Sequence, residues 1–380
     1  MIKSIAISLS VATVLLLTGC SAKEAQTSET EAKKVPVAKT QEVSKTEAQA
    51  CRKEFYAPAW DAQAPHVDAY NFVRAETDSQ MRGYATAPFT FGQFTHGRKA
   101  YDVNHQVTLS GNRDTIYSFG VFDLSKSDLT ITMPDSDGKY MTLMPVSQDH
   151  DIYRALNAPG TYTFKQSEIG TRYMIFVIRT LMDPNDPKDM ERAHKLQDAV
   201  VVTQSDKGDI SGLQEWDEKE MLNMRKAYNI LGSAASSSAS FFGVKCDRSY
   251  LQDAMGVAVG WGGMQEGDAL YLPMQVEKND GKTPYTITVP ADVPVDGFWS
   301  VTVYNQERFM VKNEYDSYSL NSLTAKKNAD GTATLHLGGD PKAENYLYIP
   351  KGWLYIVRFY QPHEEILDGS WTFPKAVEVK

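Results

Sequence analysis

The chain has 380 residues, enough for two or three ordinary domains, and its balance of 42% hydrophobic, 11% aromatic and 23% charged residues is that of a globular protein. Twenty Tyr and fifteen Phe favour strands, where aromatic side chains fit a pleated, half-buried surface. Net charge is -9 and no stripe dense in Lys or Arg occurs, which excludes a phosphate-backbone partner: no nucleic acid is expected.

The first element is an export signal. Lys3 gives a basic start, Ile5 to Leu17 form an apolar run, and Leu17-Thr18-Gly19-Cys20 closes it. That run is short of the roughly 20 residues a transmembrane helix needs. The ending resembles the bacterial lipobox, which implies cleavage before Cys20 and acylation of its thiol, with the membrane as partner through that lipid. Ser21, where inner-membrane retention usually shows Asp, points to the outer membrane. Residues 20 to 50 are rich in Ser, Thr, Glu, Lys, Ala and Gln with no aromatics, the composition of a flexible tether reaching about 30 Å. With Cys20 committed to lipid, Cys51 and Cys246 remain as an even pair for a disulfide in an oxidising compartment, worth about 5 kcal/mol in the chain-entropy model.

A short helical stretch is expected around Val67 to Thr77. From Ala100 the chain turns to β-rich runs: Val107 to Leu109, Ile116 to Phe122, Leu129 to Met133, Tyr140 to Val146, Tyr162 to Phe164 and Tyr173 to Ile178, punctuated by Gly, Asp, Asn and Pro. Asp186-Pro187 with Asp189 reads as a helix start, running to about Ala199. A second helix begins after Asp217, with Glu220 at capping-box spacing. Beyond Gly260-Trp261-Gly262-Gly263 come Tyr285 to Val289, Phe298 to Tyr304, Thr332 to Leu337 and Trp353 to Tyr360, with Asn328 to Gly331 as a hairpin-like turn.

The expected fold is mainly β with an α insert: two β-sandwich-like domains joined by a helical segment, preceded by a lipoprotein signal and a disordered tether. The divisions are 1–19 signal, 20–50 acylated cysteine and tether, 51–205 first β domain, 206–262 helical connection and 263–380 second β domain.

Several blocks carry a resemblance to a bacterial family pairing the domains of unknown function 1254 and 1214. The first is suggested by Asn71 to Asp78, Asn112 to Ser118 and Gly170 to Tyr173. The second is suggested by Val295 to Ser300, Tyr304-Asn305, Tyr318 to Leu320, Arg358 to Tyr360 and Leu367 to Trp371. The resemblance implies a mainly β two-domain body and carries over no catalytic residue.

There is no glycine-serine-glycine elbow, phosphate loop, dinucleotide fingerprint or paired-histidine zinc motif, and the seven histidines are scattered. No cofactor and no metal are called for. Asp149-His150-Asp151 is the most reactive-looking cluster: flanking carboxylates could orient His150 as a general base, or the three residues could form a polar loop. Arg113-Asp114 enters the strand at Ile116, as an ion-pair network or with Arg113 as an anion clamp. Trp299 and Tyr304, with Trp261, Trp353 and Trp371, offer stacking surface for a flat ligand or are core. Two functions follow: a membrane-tethered binding lipoprotein holding a small or carbohydrate-like ligand between its β domains, or an extracytoplasmic hydrolase or lyase using His150 with Arg113 and Asp114.

Overall fold

The computed structural model describes residues 66–106, 110–235 and 240–380. The signal, Cys20, the tether, Cys51 and the expected strand Val107–Leu109 lie outside them. The disulfide expectation therefore has only Cys246 within the described residues.

In the first domain the apolar runs pair as a five-stranded sheet, in the order Thr95–His96, Thr115–Asp123, Tyr173–Leu181, Met141–Ser147 and Leu156–Asn157. Its strands are apolar on both faces because both faces are covered. Phe122, Phe176, Ile178 and Leu143 pack against Leu129 and Ile131. Those belong to a second, three-stranded sheet of Gly160–Phe164, Leu129–Met133 and Val201–Thr203. On the opposite face Val121, Ile175, Val177 and Met144 meet Met81 and Ala85 of the helix Phe72–Ala85.

The second domain is a sandwich of two four-stranded sheets. The inner one orders Ser319–Asn321, Val295–Tyr304, Leu354–Pro362 and Ala269–Met274; the outer one orders Tyr346–Leu347, Ala333–Leu337, Tyr285–Val289 and Val377–Glu378. Alternation along the inner strands sends Trp299, Val301, Tyr355, Val357 and Phe359 into the sandwich core with Ile287 and Leu335. The alternate residues Phe298 and Tyr360 turn the other way and join the core of the first domain. Tyr140, Phe298 and Tyr360 form an aromatic triad across the boundary, with centroids 4.1 to 5.3 Å apart. A register irregularity between Val295 and Phe298 makes room for it. Gly297 there lies so close to Tyr360 that a Cβ would stand 2.6 Å from its carbonyl oxygen.

The helices follow their caps. Asp186 accepts from the Lys188 N–H at the start of Pro187–Asp198, and Asp217 accepts from the Glu220 N–H at the start of Glu218–Ala234. The expected box at Asp217 is only half formed: the Glu220 carboxylate reaches the Val67 N–H at 2.9 Å and His66 at 2.8 Å instead. The helix Tyr250–Gly260 carries a complete box between Ser249 and Gln252.

The turn at Asn328 to Gly331 leads into Ala333–Leu337, but that strand pairs with Tyr285–Val289 rather than closing a hairpin. The strand Ala269–Met274 carries no clear sequence signal, since Gly263 to Asp268 and Pro273 obscure its edges.

The candidate site between the two domains

Asp149-His150-Asp151 forms a tight turn rather than an extended stretch. Ser147 Oγ accepts from the N–H groups of Asp149 and Asp151, and His150 sits at φ +62°. Its ring is fully buried. Nδ1 lies 2.8 Å from Asp253, Nε2 accepts from the Gly262 N–H at 3.1 Å, and Trp261 packs beside it. Arg248 completes the group, 2.9 Å from Asp253 and donating to the His150 carbonyl at 2.6 Å. Burial holds the imidazole below the ordinary histidine value against the pull of Asp253. Both ring nitrogens are therefore spent on the protein. Asp149 is held by Arg74 and Lys245, and Asp151 by the Lys245 N–H.

Arg113 is elsewhere, donating to the Tyr101 carbonyl at 2.9 Å with its guanidinium over the Tyr318 ring at 5.0 Å. It shares no described partner with His150, so the structure does not assemble the expected triad of His150, Arg113 and Asp114. Trp299 likewise points into the sandwich core beside Phe373. Asp114 and Tyr304 do converge, and on a different arginine.

That arginine is Arg358. Across the inner sheet it pairs with Ser300 and Tyr271, all facing the first domain. Its guanidinium donates to Thr302 Oγ1 at 2.9 Å, the Tyr304 hydroxyl at 2.6 Å and the Ser110 carbonyl at 2.8 Å. Tyr304 in turn donates to the Gly111 carbonyl at 2.7 Å. Asp114 is fully buried nearby, accepting from Asn321 Nδ2 at 3.0 Å; burial pushes its carboxyl up, with Arg358 opposing. Asn112 donates to the Tyr360 hydroxyl at 2.7 Å and to that of Tyr117 at 3.2 Å.

The first domain contributes Arg179, opposite Tyr117 and Thr142 in the five-stranded sheet. Only 8% of Arg179 is exposed. Its guanidinium lies over the Tyr117 ring at 5.5 Å, and its one hydrogen bond among the described residues goes to Met144 Sδ at 3.4 Å. Nε and Nη2 have no acceptor among the described residues, yet neither is among the side-chain atoms sealed from solvent without a partner. No carboxylate lies within ion-pair distance of Arg179 or Arg358 among the described residues. Burial opposes the charge on each, but a guanidinium does not give up its proton, so both stay charged. Tyr140, Tyr271, Tyr304 and Tyr360 are pushed up by burial and stay neutral.

Tyr271 decides the shape of this layer. It neighbours both arginines and lies deep enough for burial to raise its hydroxyl, yet 38% of it is accessible. Its accessible part opens the arginine–tyrosine layer to solvent. Partly exposed rings continue from Arg179: Tyr117 stacks on Phe119 at 5.9 Å, and Phe119 on Tyr84 at 4.4 Å.

Two grooves on the outer surface offer less. One of about 810 Å³ is lined by Gln275, Lys278, Asp280, Gln306 and Lys351, charges of both signs, with Lys278 already paired to Glu378. The other, about 290 Å³, lies beside Phe94, His96 and Lys207. Among the described residues no group of three or more His, Cys, Asp or Glu is placed to hold a metal ion.

Sequence reasoning missed Arg179 because it sits inside the apolar run Tyr173 to Leu181. A lone cation in a strand that is buried along its whole length was the available signal.

A fold of two β domains closed over a buried arginine–tyrosine layer defines a two-domain, mainly β protein. Residues 91–204 match the family described as "Protein of unknown function (DUF1254)", and residues 270–364 the one described as "Protein of unknown function (DUF1214)". The chain belongs to the family that pairs them in this order. The fold is similar to that of the VPA0106 protein from Vibrio parahaemolyticus, at TM-score 0.58 and 16% identity over 82% of this chain and 98% of that one. An uncharacterized protein from Burkholderia cenocepacia is similar at TM-score 0.45 and 12% identity, over 88% of this chain and 94% of that one. No curated protein matches the chain.

Proposed function

We propose that this is a lipid-anchored extracytoplasmic protein, held at the bacterial outer membrane through Cys20, that binds a small ligand in a recess at Tyr271, between its β domains. One observation carries the binding reading: Arg179 is buried, charged and short of acceptors, beside the accessible Tyr271. A buried ion costs several kcal/mol, and one ring contact returns about 0.5–2 kcal/mol, so the site is incomplete without a guest. The hydrolase reading loses support because His150 has no free nitrogen and no route to a substrate.

The lipobox at Leu17 to Cys20 supports the anchor. We assign the boundaries 51–205, 206–262 and 263–380 to the two β domains and their connection, and a bridge between Cys51 and Cys246. Cys20→Ser should release the protein from the membrane fraction or leave an uncleaved precursor; normal membrane retention would refute the anchor. For binding, the full processed protein in detergent is screened by thermal shift against small carbohydrates and metabolites. A ligand at 100 times its Kd adds about 2.7 kcal/mol to native stability. The expected result is a melting shift that Arg179→Gln removes. Shifts that persist unchanged in Arg179→Gln would place binding elsewhere.

A further inference from the structure

We infer that the guest of the interdomain recess is a carboxylate carried on a ring, its carboxyl gripped by Arg179 and its ring lying along Tyr117 and Phe119. This rests on the binding reading above and adds the chemistry of the ligand.

Arg358 has its guanidinium nitrogens engaged by Thr302, Tyr304 and the Ser110 carbonyl, and Asp114 lies nearby. Arg179 has five N–H donors and spends one of them, weakly, on sulfur. The unmatched charge is therefore close to one. A single negative charge with two coplanar oxygens matches the guanidinium fork bidentately. A phosphate dianion would bring a second charge and a third oxygen, for which the layer holds no second free guanidinium.

The neighbours set the rest. Tyr271, neutral and reachable, makes no hydrogen bond to a described residue and is a donor beside the carboxyl position. Asp268 faces the same layer and feels the Arg179 charge, but its carboxylate is held by Arg154 at 3.0 Å and the Ala155 N–H at 2.8 Å and makes no ion pair with Arg179. Leading away from Arg179, Tyr117, Phe119 and Tyr84 present a continuous partly exposed aromatic lane. Such faces stack flat rings, whether aromatic or the apolar face of a sugar.

The test is isothermal calorimetry on the full processed protein with five probes: benzoate, galacturonate, benzamide, galactose and inorganic phosphate. Benzoate or galacturonate should bind at least tenfold tighter than its neutral counterpart, and which of them does so separates an aromatic acid from a sugar acid. Arg179→Gln should weaken that acid at least tenfold, and Arg179→Lys should recover part of the loss. Should Arg179→Gln fail to fold, the acid-against-neutral comparison in the natural protein still decides. Benzamide or galactose binding as well as its acid overturns the carboxylate while leaving a small-ligand site intact. Phosphate binding tightest overturns the single-charge argument. If none of the five binds while the screen yields a neutral ligand lost in Arg179→Gln, the inference fails and the binding reading stands. If neither the probes nor the screen gives binding, both fail.

Discussion

His150→Ala separates a structural histidine from a catalytic one. The imidazole is fully buried, and its loss removes the contact to Asp253, the acceptor of the Gly262 N–H and the ring beside Trp261. Asp253 keeps Arg248 at 2.9 Å, so the ion pair survives with one side opened to a void. A buried large-to-small change plus two lost hydrogen bonds gives about 3–5 kcal/mol of destabilisation. At roughly 2–4 °C per kcal/mol for a protein of this order of size, the melting temperature should fall by about 6–20 °C. Equilibrium urea unfolding followed by tryptophan fluorescence measures the free-energy loss directly. His150→Asn, which tolerates the positive φ and retains a donor, should cost less. A pH series adds a second readout. Because burial lowers the folded histidine below its unfolded value near 6.5, the unfolded chain binds the proton first. Stability from this group is thus present above pH 6.5 and lost as pH falls through the folded value, and His150→Ala should remove that slope. An unchanged midpoint in His150→Ala, together with loss of a ligand response, would refute the structural assignment.

Other perturbations probe the frame around the recess. Asp189 is pushed up by burial, but Arg192 and Lys139 outweigh this and hold it well below the ordinary carboxylate range. Its stabilisation is present above about pH 4 and lost as pH falls through the folded value, so Asp189→Asn should flatten the acid limb of a stability–pH curve; an unaltered limb would count against it. Gly111→Ala places a Cβ 2.3 Å from the Tyr101 ring, and should cost about 1–3 kcal/mol by disturbing the carbonyl that Tyr304 holds. Urea midpoints indistinguishable from the natural protein would show that the Tyr101 ring moves freely aside.

Much of the fold was legible because local chemistry and tertiary packing agree. Leu129 to Met133 and Tyr285 to Val289 alternate cleanly between buried and less buried positions, and both strands fall where alternation puts them. Asp186-Pro187 and Asp217 cap the helices they mark. The sequence reading faltered where a residue's role depends on a distant partner. Glu220 has capping-box spacing but is drawn to Val67 and His66, 153 residues away in the first case. Glu76, Thr77 and Asp78 belong to the block Asn71 to Asp78 that carries the family resemblance. Each pins another element: Glu76 takes Arg225, Thr77 accepts from Trp261, and Asp78 from Gln148 and Trp216. The site followed the same rule. Arg113-Asp114 marks the right corner of the molecule, since Asn112 and Asp114 reach the interdomain layer, but the two guanidiniums within it come from Arg179 and Arg358, on strands of different domains. Spacing along the chain cannot reveal a pairing made only when two sheets face each other.

Anomalous diffraction from crystals soaked in sodium bromide tests most directly whether the interdomain recess is the binding site. Bromide is a single negative charge small enough to enter beside Tyr271. The account predicts a bromine peak against the Arg179 guanidinium in the natural protein and its absence in Arg179→Gln crystals treated alike. Bromide on surface lysines or in the groove beside Lys278 and Lys351, with none at Arg179, would contradict it.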